Sequence, residues 1–440
     1  MIPSRHNIFS RLAKSDRWFI LNPLSRQADL LDEATAREYQ SAEFEDVQLW
    51  VEKGYLVDPQ SESDRYKHAY LDFLEQRDRD EVQIFFAPTY ACNFACSYCY
   101  QDGYQAEPLW PDPGVLEAFF AYIDDHFQER SKYLTLFGGE PLMDGERVRD
   151  FLKSFLDRAA QRKLETAIVT NGYHLVDYVP LLKNFLIREI QVTLDGLSEV
   201  HDRRRPHRAG LSSFDRIVSG IDAALGAGIS INLRMVVDRE NLGEIPGLAQ
   251  FAIDRGWTKN PRFKTQLGRN YELHTCQSEA QRLYSRAELY RDVFDFVRRF
   301  PHILEFHKPA FSLAKFLWEN GELPQPLFDA CPGAKTEWAF DASGKIFACT
   351  ATIGKPGEEL GTFYPKVNLK DQKVAEWEDR DVTTIPECQN CSLALACGGG
   401  CASVAQNRTG RLKTPDCRPV TELLSFGLEL YFPELEETRV

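Results

Sequence analysis

The chain has no apolar run approaching the roughly eighteen residues that a membrane span needs. It has no surplus of positive charge either: 52 Lys and Arg stand against 66 Asp and Glu, a net of -14, with both signs spread along the sequence. That balance disfavours nucleic-acid binding as the main role. The segment Met1 to Trp18 lacks an apolar stretch followed by a small-residue cleavage site, so it reads as unprocessed and cytoplasmic. Internal repeats and low-complexity tracts are absent, and the first 91 residues contain no cysteine. What is present is a folded composition, 43% apolar and 12% aromatic over 440 residues, which predicts two or three domains with a sizeable core.

Against this background the eleven cysteines are unevenly placed. Cys92, Cys96 and Cys99 form one group, Cys276 stands alone, and Cys331, Cys349, Cys388, Cys391, Cys397, Cys401 and Cys417 form another. A disulfide framework needs an oxidising compartment and usually a small domain. Zinc is the serious alternative for Cys388-x2-Cys391, but three close thiols without a fourth fit a closed zinc site poorly. They fit an iron-sulfur cluster with one iron open.

Three regions follow from the pattern. In residues 1–80, Trp18 to Leu21 and Ala28 to Leu31 flank the turn-forming Asn22 to Ser25 and read as a hairpin. Asp32 then caps a short helix. A second helix carries Phe44, Val47, Trp50 and Val51 on one face and ends at Lys53-Gly54, followed by a strand at Tyr55 to Val57 and a bridging helix from Ser61 to Asp80. This is a winged-helix-like module. Its 11 Lys and Arg against 17 Asp and Glu over residues 1–85 disfavour DNA.

Over residues 81–300, six apolar strands alternate with helices, predicting an α/β fold of six βα units closing part of a barrel. The strands fall near Val82 to Ala87, Leu134 to Phe137, Ala167 to Thr170, Ile190 to Leu194, Ile229 to Val236 and Phe263 to Leu267. Residues 301–440 comprise a linker and a loop-rich, cysteine-rich domain, in which metal is expected to stand in for a core.

The polar motifs lie at strand ends. After the first strand, Cys92-x3-Cys96-x2-Cys99, with Tyr98 before the last thiol, resembles the radical S-adenosylmethionine superfamily. Gly138-Gly139-Glu140-Pro141 ends the second strand and looks like that family's GGEP motif. Thr193-Leu194-Asp195-Gly196 with His201 to Arg205 is similar to its later strand-end run.

The resemblance spans about Val82 to Asp416, roughly four fifths of the chain. It implies three thiolates holding a [4Fe-4S] cluster whose open iron chelates S-adenosylmethionine. Reductive cleavage then gives a 5'-deoxyadenosyl radical that abstracts a substrate hydrogen. Tyr98, Gly138, Gly139, Glu140, Asn171, Thr193 and Arg205 are the implied cofactor contacts. The two glycines admit the ligand, Glu140 accepts from its ammonium, and Thr193 with Arg205 holds its carboxylate. For Asn171 and Asp195, turn formation is an equal reading. His201 reads as a structural hydrogen-bonding residue, and Asn241-x2-Glu244 as a helix start.

The seven later cysteines resemble the SPASM extension of peptide-modifying radical enzymes. The resemblance implies an outer auxiliary cluster on Cys388, Cys391, Cys397 and Cys417, and an inner one on Cys331, Cys349 and Cys401 that lacks a fourth cysteine. That site is either open or filled by a non-cysteine ligand; Cys276 is the spare thiol, or simply a buried apolar one. The implied protein is a maturase of ribosomally made peptides, with three [4Fe-4S] clusters and a flavodoxin or ferredoxin as electron donor. Its N-terminal module would capture a leader peptide by strand addition and be dispensable for cluster assembly. A formylglycine-forming sulfatase maturase is the enzyme alternative, although Thr350 stands where that family has an aspartate base. An electron carrier or a zinc-stabilised interaction protein is the non-enzyme alternative.

Overall fold

A computed structural model describes residues 1–101, 110–270 and 281–433. Its centre is a run of six parallel strands: β6 (Val82–Ala87), β7 (Lys132–Leu136), β8 (Thr166–Thr170), β9 (Ile187–Thr193), β10 (Ile231–Val237) and β11 (Phe263–Arg269). They neighbour one another in chain order and the sheet stays open at β11, so all six expected βα strands are found in a partial barrel. Alternation sets the layers. Val82, Ile84 and Phe86 of β6 pack outward on the helices, with Phe86 4.5 Å from the ring of Phe119, whereas Phe85 and Ala87 join a separate inner cluster. The helix carrying Phe119, Pro113–His126, starts where Asp112 accepts from the amides of Gly114 at 2.7 Å and Val115 at 3.1 Å, with proline in the first turn.

The N-terminal region contains β1 (Ile2–Pro3), β2 (Ile8–Arg11), β3 (Trp18–Asn22), β4 (Gln27–Leu31) and β5 (Leu56–Val57). The expected hairpin is β3 and β4, but β2 adds a third antiparallel strand, and β1 pairs with β5. Strands of two and four residues, Ile2–Pro3 and Ile8–Arg11, are too short to carry a clear period. Asp32 caps its helix by accepting from Thr35 N at 2.8 Å. The second helix begins only at Val47; Phe44 precedes it and reaches Trp50 from the loop, with ring centroids 5.2 Å apart.

This module is not separable in the way its lack of cysteine implied. Ile8, Leu12, Phe19 and Leu21 belong to the main core. Leu24, with Tyr66, Tyr70 and Phe73 of the long helix Pro59–Arg79, covers Phe328 and Cys388. Tyr70 also donates to Asp381 at 2.7 Å.

A second correction concerns the region after Cys331. It is not merely loop held by metal, because β12 (Glu337–Asp341) pairs parallel with β6, and β13 (Lys345–Phe347), β14 (Gly361–Thr362) and β15 (Asn368–Leu369) extend the same sheet. Trp338 and Phe340 are buried in the shared core. A five-residue strand flanked by turns was hidden by the cysteine-rich composition around it.

Candidate functional site

Strand β6 runs directly into the Cys92 to Cys99 loop, which is held from two sides. Beneath it, Gly139 N donates to Thr89 O and Glu140 N to Ala91 O, each at 2.9 Å. A Cβ at Gly139 would lie 2.1 Å from Ala91 O, and one at Gly138, where φ is +128°, 2.4 Å from Thr89 O. The glycines therefore bring the turn against the cysteine loop. From the other side, Ala95 N donates to Pro206 O at 2.9 Å, Ser97 N to Arg204 O at 3.0 Å and Arg208 N to Asn93 O at 2.8 Å. The basic run after β9 is thus a brace for the loop, a role its sequence did not disclose.

Glu140 is buried and points away from solvent. Its carboxylate accepts from Leu142 N at 2.7 Å, Thr170 Oγ1 at 2.7 Å and Asn171 N at 2.6 Å. It ties the ends of β7 and β8 together, where the sequence reading had it accepting from a ligand ammonium. Asn171 takes the turn-forming role: its Oδ1 accepts from Tyr173 N, closing a turn, while Nδ2 donates to Asn93 Oδ1 at 2.7 Å and lies 3.7 Å from the Cys92 sulfur.

Burial, outweighing these bonds, pushes Glu140 up to about 7. A carboxyl raised in the fold favours the protonated protein, so the stability it adds is full below about pH 4.5 and is lost as pH rises through about 7. We expect the melting temperature of Glu140→Gln to rise relative to wild type between pH 5 and 8, by the equivalent of at most about 3 kcal/mol, measured by thermal unfolding. A constant difference would mean that Glu140 does not titrate there.

The cavity above the loop measures about 1100 Å³ and is lined by Cys92, Cys96, Cys99, Gly138, Gly139 and Tyr98, with Asn171, Thr193 and Arg205 on the adjoining wall. Tyr98 and Arg205 are joined by a hydrogen bond from Nη1 to the phenol. Arg205 Nε is buried with no hydrogen-bond partner, and no carboxylate pairs with Arg205 among the described residues. Its neighbour Arg204 is instead bound bidentately to Asp238 at 2.7 and 3.0 Å and to Glu240 at 3.0 Å. Asp195 accepts from Val236 N at 2.9 Å and His201 Nδ1 accepts from Asp195 N at 3.3 Å, both structural. Asn241 is more than a helix start: fully buried, it donates to Asp195 O at 2.8 Å and Val236 O at 3.0 Å, locking β9 to β10.

Sequence reasoning missed the cationic residues that line the cavity, Arg208, Arg234 and Arg269. The signal was available for Arg234. In β10, Leu233, Met235 and Val237 are buried outward, so Arg234 is the charged residue on the inner face of a parallel strand.

The C-terminal thiols fall into two sets by their mutual electrostatic repulsion. Cys388 is raised to about 12, first by burial and then by Cys397, Cys391 and Cys417. Cys331 is raised to about 11 by burial, then by Asp329 and Cys401, and Cys349 is raised by burial, then by Glu337, Cys331 and Cys401. Cys92 is likewise pushed up to about 12 by burial, then by Glu140, Cys96 and Cys99.

Among the described residues no three His, Cys, Asp or Glu side chains close round one ion; the thiol sets are broader, and as donors they suit a cluster whose binding displaces several protons. Gly398, Gly399 and Gly400 all take positive φ, and a Cβ at Gly400 would meet Asp416 O at 2.0 Å, so the turn between Cys397 and Cys401 passes hard against Cys417's neighbour. The fully buried Arg380 clamps this turn by donating to the carbonyls of Gly399, Gly400, Leu412 and Thr414. Cys276 lies outside the described residues.

A three-thiol loop thus stands at the mouth of a parallel α/β sheet, over a glycine-glycine-acid turn. Residues 86–252 match the model of the Radical SAM superfamily. The chain is 33% identical over 169 residues to the GTP 3',8-cyclase of Ectopseudomonas mendocina (strain ymp), covering 38% of this chain and 48% of that one. It is 27% identical over 177 residues to an S-adenosylmethionine-dependent nucleotide dehydratase of Fibrobacter sp. (strain UWH6), 38% and 51%. The chain spans about half the length of the curated relatives it matches.

Among solved structures, anSMEcpe with bound AdoMet superposes with a TM-score of 0.62 at 15% identity, covering 81% of this chain and 98% of that one. Streptococcus suis SuiB bound to precursor peptide SuiA gives 0.53 at 16%, covering 96% and 99%. The fold is thus that of these proteins. No helix among the described residues is long and apolar enough to cross a membrane.

Proposed function

We propose that the chain is a radical S-adenosylmethionine enzyme that modifies a ribosomally made peptide, a crosslink being the favoured product. Bound at Cys92, Cys96 and Cys99, a [4Fe-4S] cluster with S-adenosylmethionine would supply the one-electron chemistry for hydrogen abstraction. The chain's own residues do the rest. Arg205, held by Tyr98, presents an unpaired buried guanidinium to a carboxylate, and Thr193 lines the wall beside it. Asn171 fixes the loop at Cys92.

The observation that carries the reading is the cavity. At about 1100 Å³ it exceeds the roughly 300–1,000 Å³ of a usual small-molecule site, leaving room for a second reactant beside the cofactor. The two C-terminal thiol sets, read as inner and outer auxiliary clusters, and the open strand edge of β4 for leader addition, support a peptide as that reactant. The likeness in fold to SuiB, solved with its precursor peptide, supports it further. Thr350, which lines the cavity, stands where a formylglycine-forming enzyme would carry a carboxylate base, which weighs against that alternative. The test is the mass change of a precursor peptide encoded beside this protein after anaerobic incubation with reductant and S-adenosylmethionine. An unchanged peptide with intact deoxyadenosine formation would turn attention to other substrates.

One observation favours a second reading. The cavity wall carries Arg208, Arg234 and Arg269 but, among the described lining residues, no Asp or Glu, and curated relatives include enzymes named for GTP and nucleotides. An anionic substrate group suits this wall in either case, as a phosphate or as an acidic peptide side chain. Replacing Arg234 by Gln is expected to raise KM about 10- to 100-fold with kcat little changed, from the loss of one charge-assisted hydrogen bond. Steady-state kinetics with GTP and with peptide would separate the two.

A further inference from the structure

Three carboxylates lie near the thiols Cys331, Cys349 and Cys401, and two of them are spoken for. Asp329 is paired with Lys335, and Asp416 with Arg286 at 2.7 Å and with Arg408. The third, Glu337, has no cationic partner among the described residues. Thr350 N donates to its Oε1 at 2.8 Å.

The hairpin sets its position. In the antiparallel pairing of β12 and β13, Ala339 faces Phe347 and Phe340 faces Ile346. Two steps further in the same register bring Glu337 opposite Cys349, and facing residues of such a pair project to one side of the sheet. The hairpin remains closed there, for Ala334 N donates to both Glu337 O and Ala348 O at 2.9 Å. Cys331 stands at the other end of the same turn, where Pro332 O accepts from the amides of Lys335, Thr336 and Glu337.

Glu337 is therefore held against Cys349 on a turn that begins at Cys331, deep in the protein yet partly accessible, as a group lining an internal space is. A carboxylate so enclosed, without a cation, is costly. Ligation to a ferric or ferrous ion supplies what is missing.

We propose that Glu337 is the fourth protein ligand of the iron-sulfur cluster held by Cys331, Cys349 and Cys401. This rests on reading those three thiols as cluster ligands. The full-length protein, reconstituted anaerobically with 57Fe, is compared with Glu337→Gln and Glu337→Cys by iron analysis, Mössbauer and electron paramagnetic resonance spectroscopy, with and without added 2-mercaptoethanol.

Because the iron left open at Cys92, Cys96 and Cys99 would itself take a thiol, all three proteins carry Cys92→Ala, Cys96→Ala and Cys99→Ala. The parent with Glu337 intact should bind about eight irons, show one oxygen-ligated iron site, and be unmoved by the thiol. Adding Glu337→Gln should open that site, so that its spectrum shifts on thiol addition, and Glu337→Cys should replace the oxygen-ligated signature with a thiolate one. A parent spectrum that itself responds to thiol, or a Glu337→Gln spectrum identical to the parent's, would overturn the assignment. Should Glu337→Gln fail to fold, the parent's response alone decides. A parent holding only about four irons, or zinc, would instead remove the inner cluster and the proposal with it.

Discussion

Replacing Cys92, Cys96 and Cys99 together by alanine is expected to abolish cleavage of S-adenosylmethionine, a loss of at least about 10⁶-fold on the scale of enzymatic rate enhancements, and to lower iron from about twelve to about eight per chain. The two C-terminal thiol sets lie on the turn from Cys331 to Cys349 and on the segment from Cys388 to Cys417, which supplies Cys401 to the inner set. The cysteine loop is braced by the glycine turn and residues 204–208, and it reaches toward those sets with a hydrogen bond from Tyr100 to Thr350 O at 3.1 Å. Eight irons should therefore remain. Deoxyadenosine release and iron content, measured on the same preparation, check both halves. Surviving cleavage would place the radical chemistry elsewhere, and loss of all twelve irons would mean that the three sites fold as one.

Deleting residues 1–80 is expected to cost more than peptide capture. Leu24, Tyr66, Tyr70 and Phe73 cover Phe328 and Cys388, and each large apolar side chain fully buried contributes about 1.5–3 kcal/mol. Leu24 is buried and Tyr66, Tyr70 and Phe73 partly so, and together they contribute less than four full burials would, yet a sizeable share of the whole stability of a domain, about 5–15 kcal/mol. The truncated chain should lose the irons at Cys388, Cys391, Cys397 and Cys417 and expose apolar surface, besides failing to modify peptide. Circular dichroism and iron analysis of residues 81–440 test this. A truncated protein that keeps about twelve irons would show that the cover is dispensable.

The sequence disclosed the barrel because each βα strand is an apolar run ended by a polar motif, and all six strands lie where alternation and strand-end residues placed them. It disclosed the cysteine loop through spacing, which depends on no tertiary information. It did not disclose why Gly138 and Gly139 are glycine, since their close approach is to Thr89 and Ala91, some fifty residues earlier. Nor could it show that Glu140 bonds across to Thr170 and Asn171. Arg380 was unreadable for the same reason: an arginine satisfied by four backbone carbonyls looks in sequence like any surface charge. Strand β12 was masked by the cysteines around it, although Glu337–Asp341 has the alternation of a strand.

That strand also orders events during synthesis. Strand β6 is central in the finished sheet, bonded to β7 on one side and β12 on the other. Its first neighbour follows within about fifty residues, but β12 is made some 250 residues later, roughly ten to fifty seconds at usual translation rates. For that interval the nascent chain presents an unpaired edge of apolar residues directly before the cysteine loop, the arrangement most prone to wrong pairing. The ribosome therefore delivers the metal-binding loop well before the strand that closes its sheet, and β6 can gain its second partner only after Asp341 has left the exit tunnel.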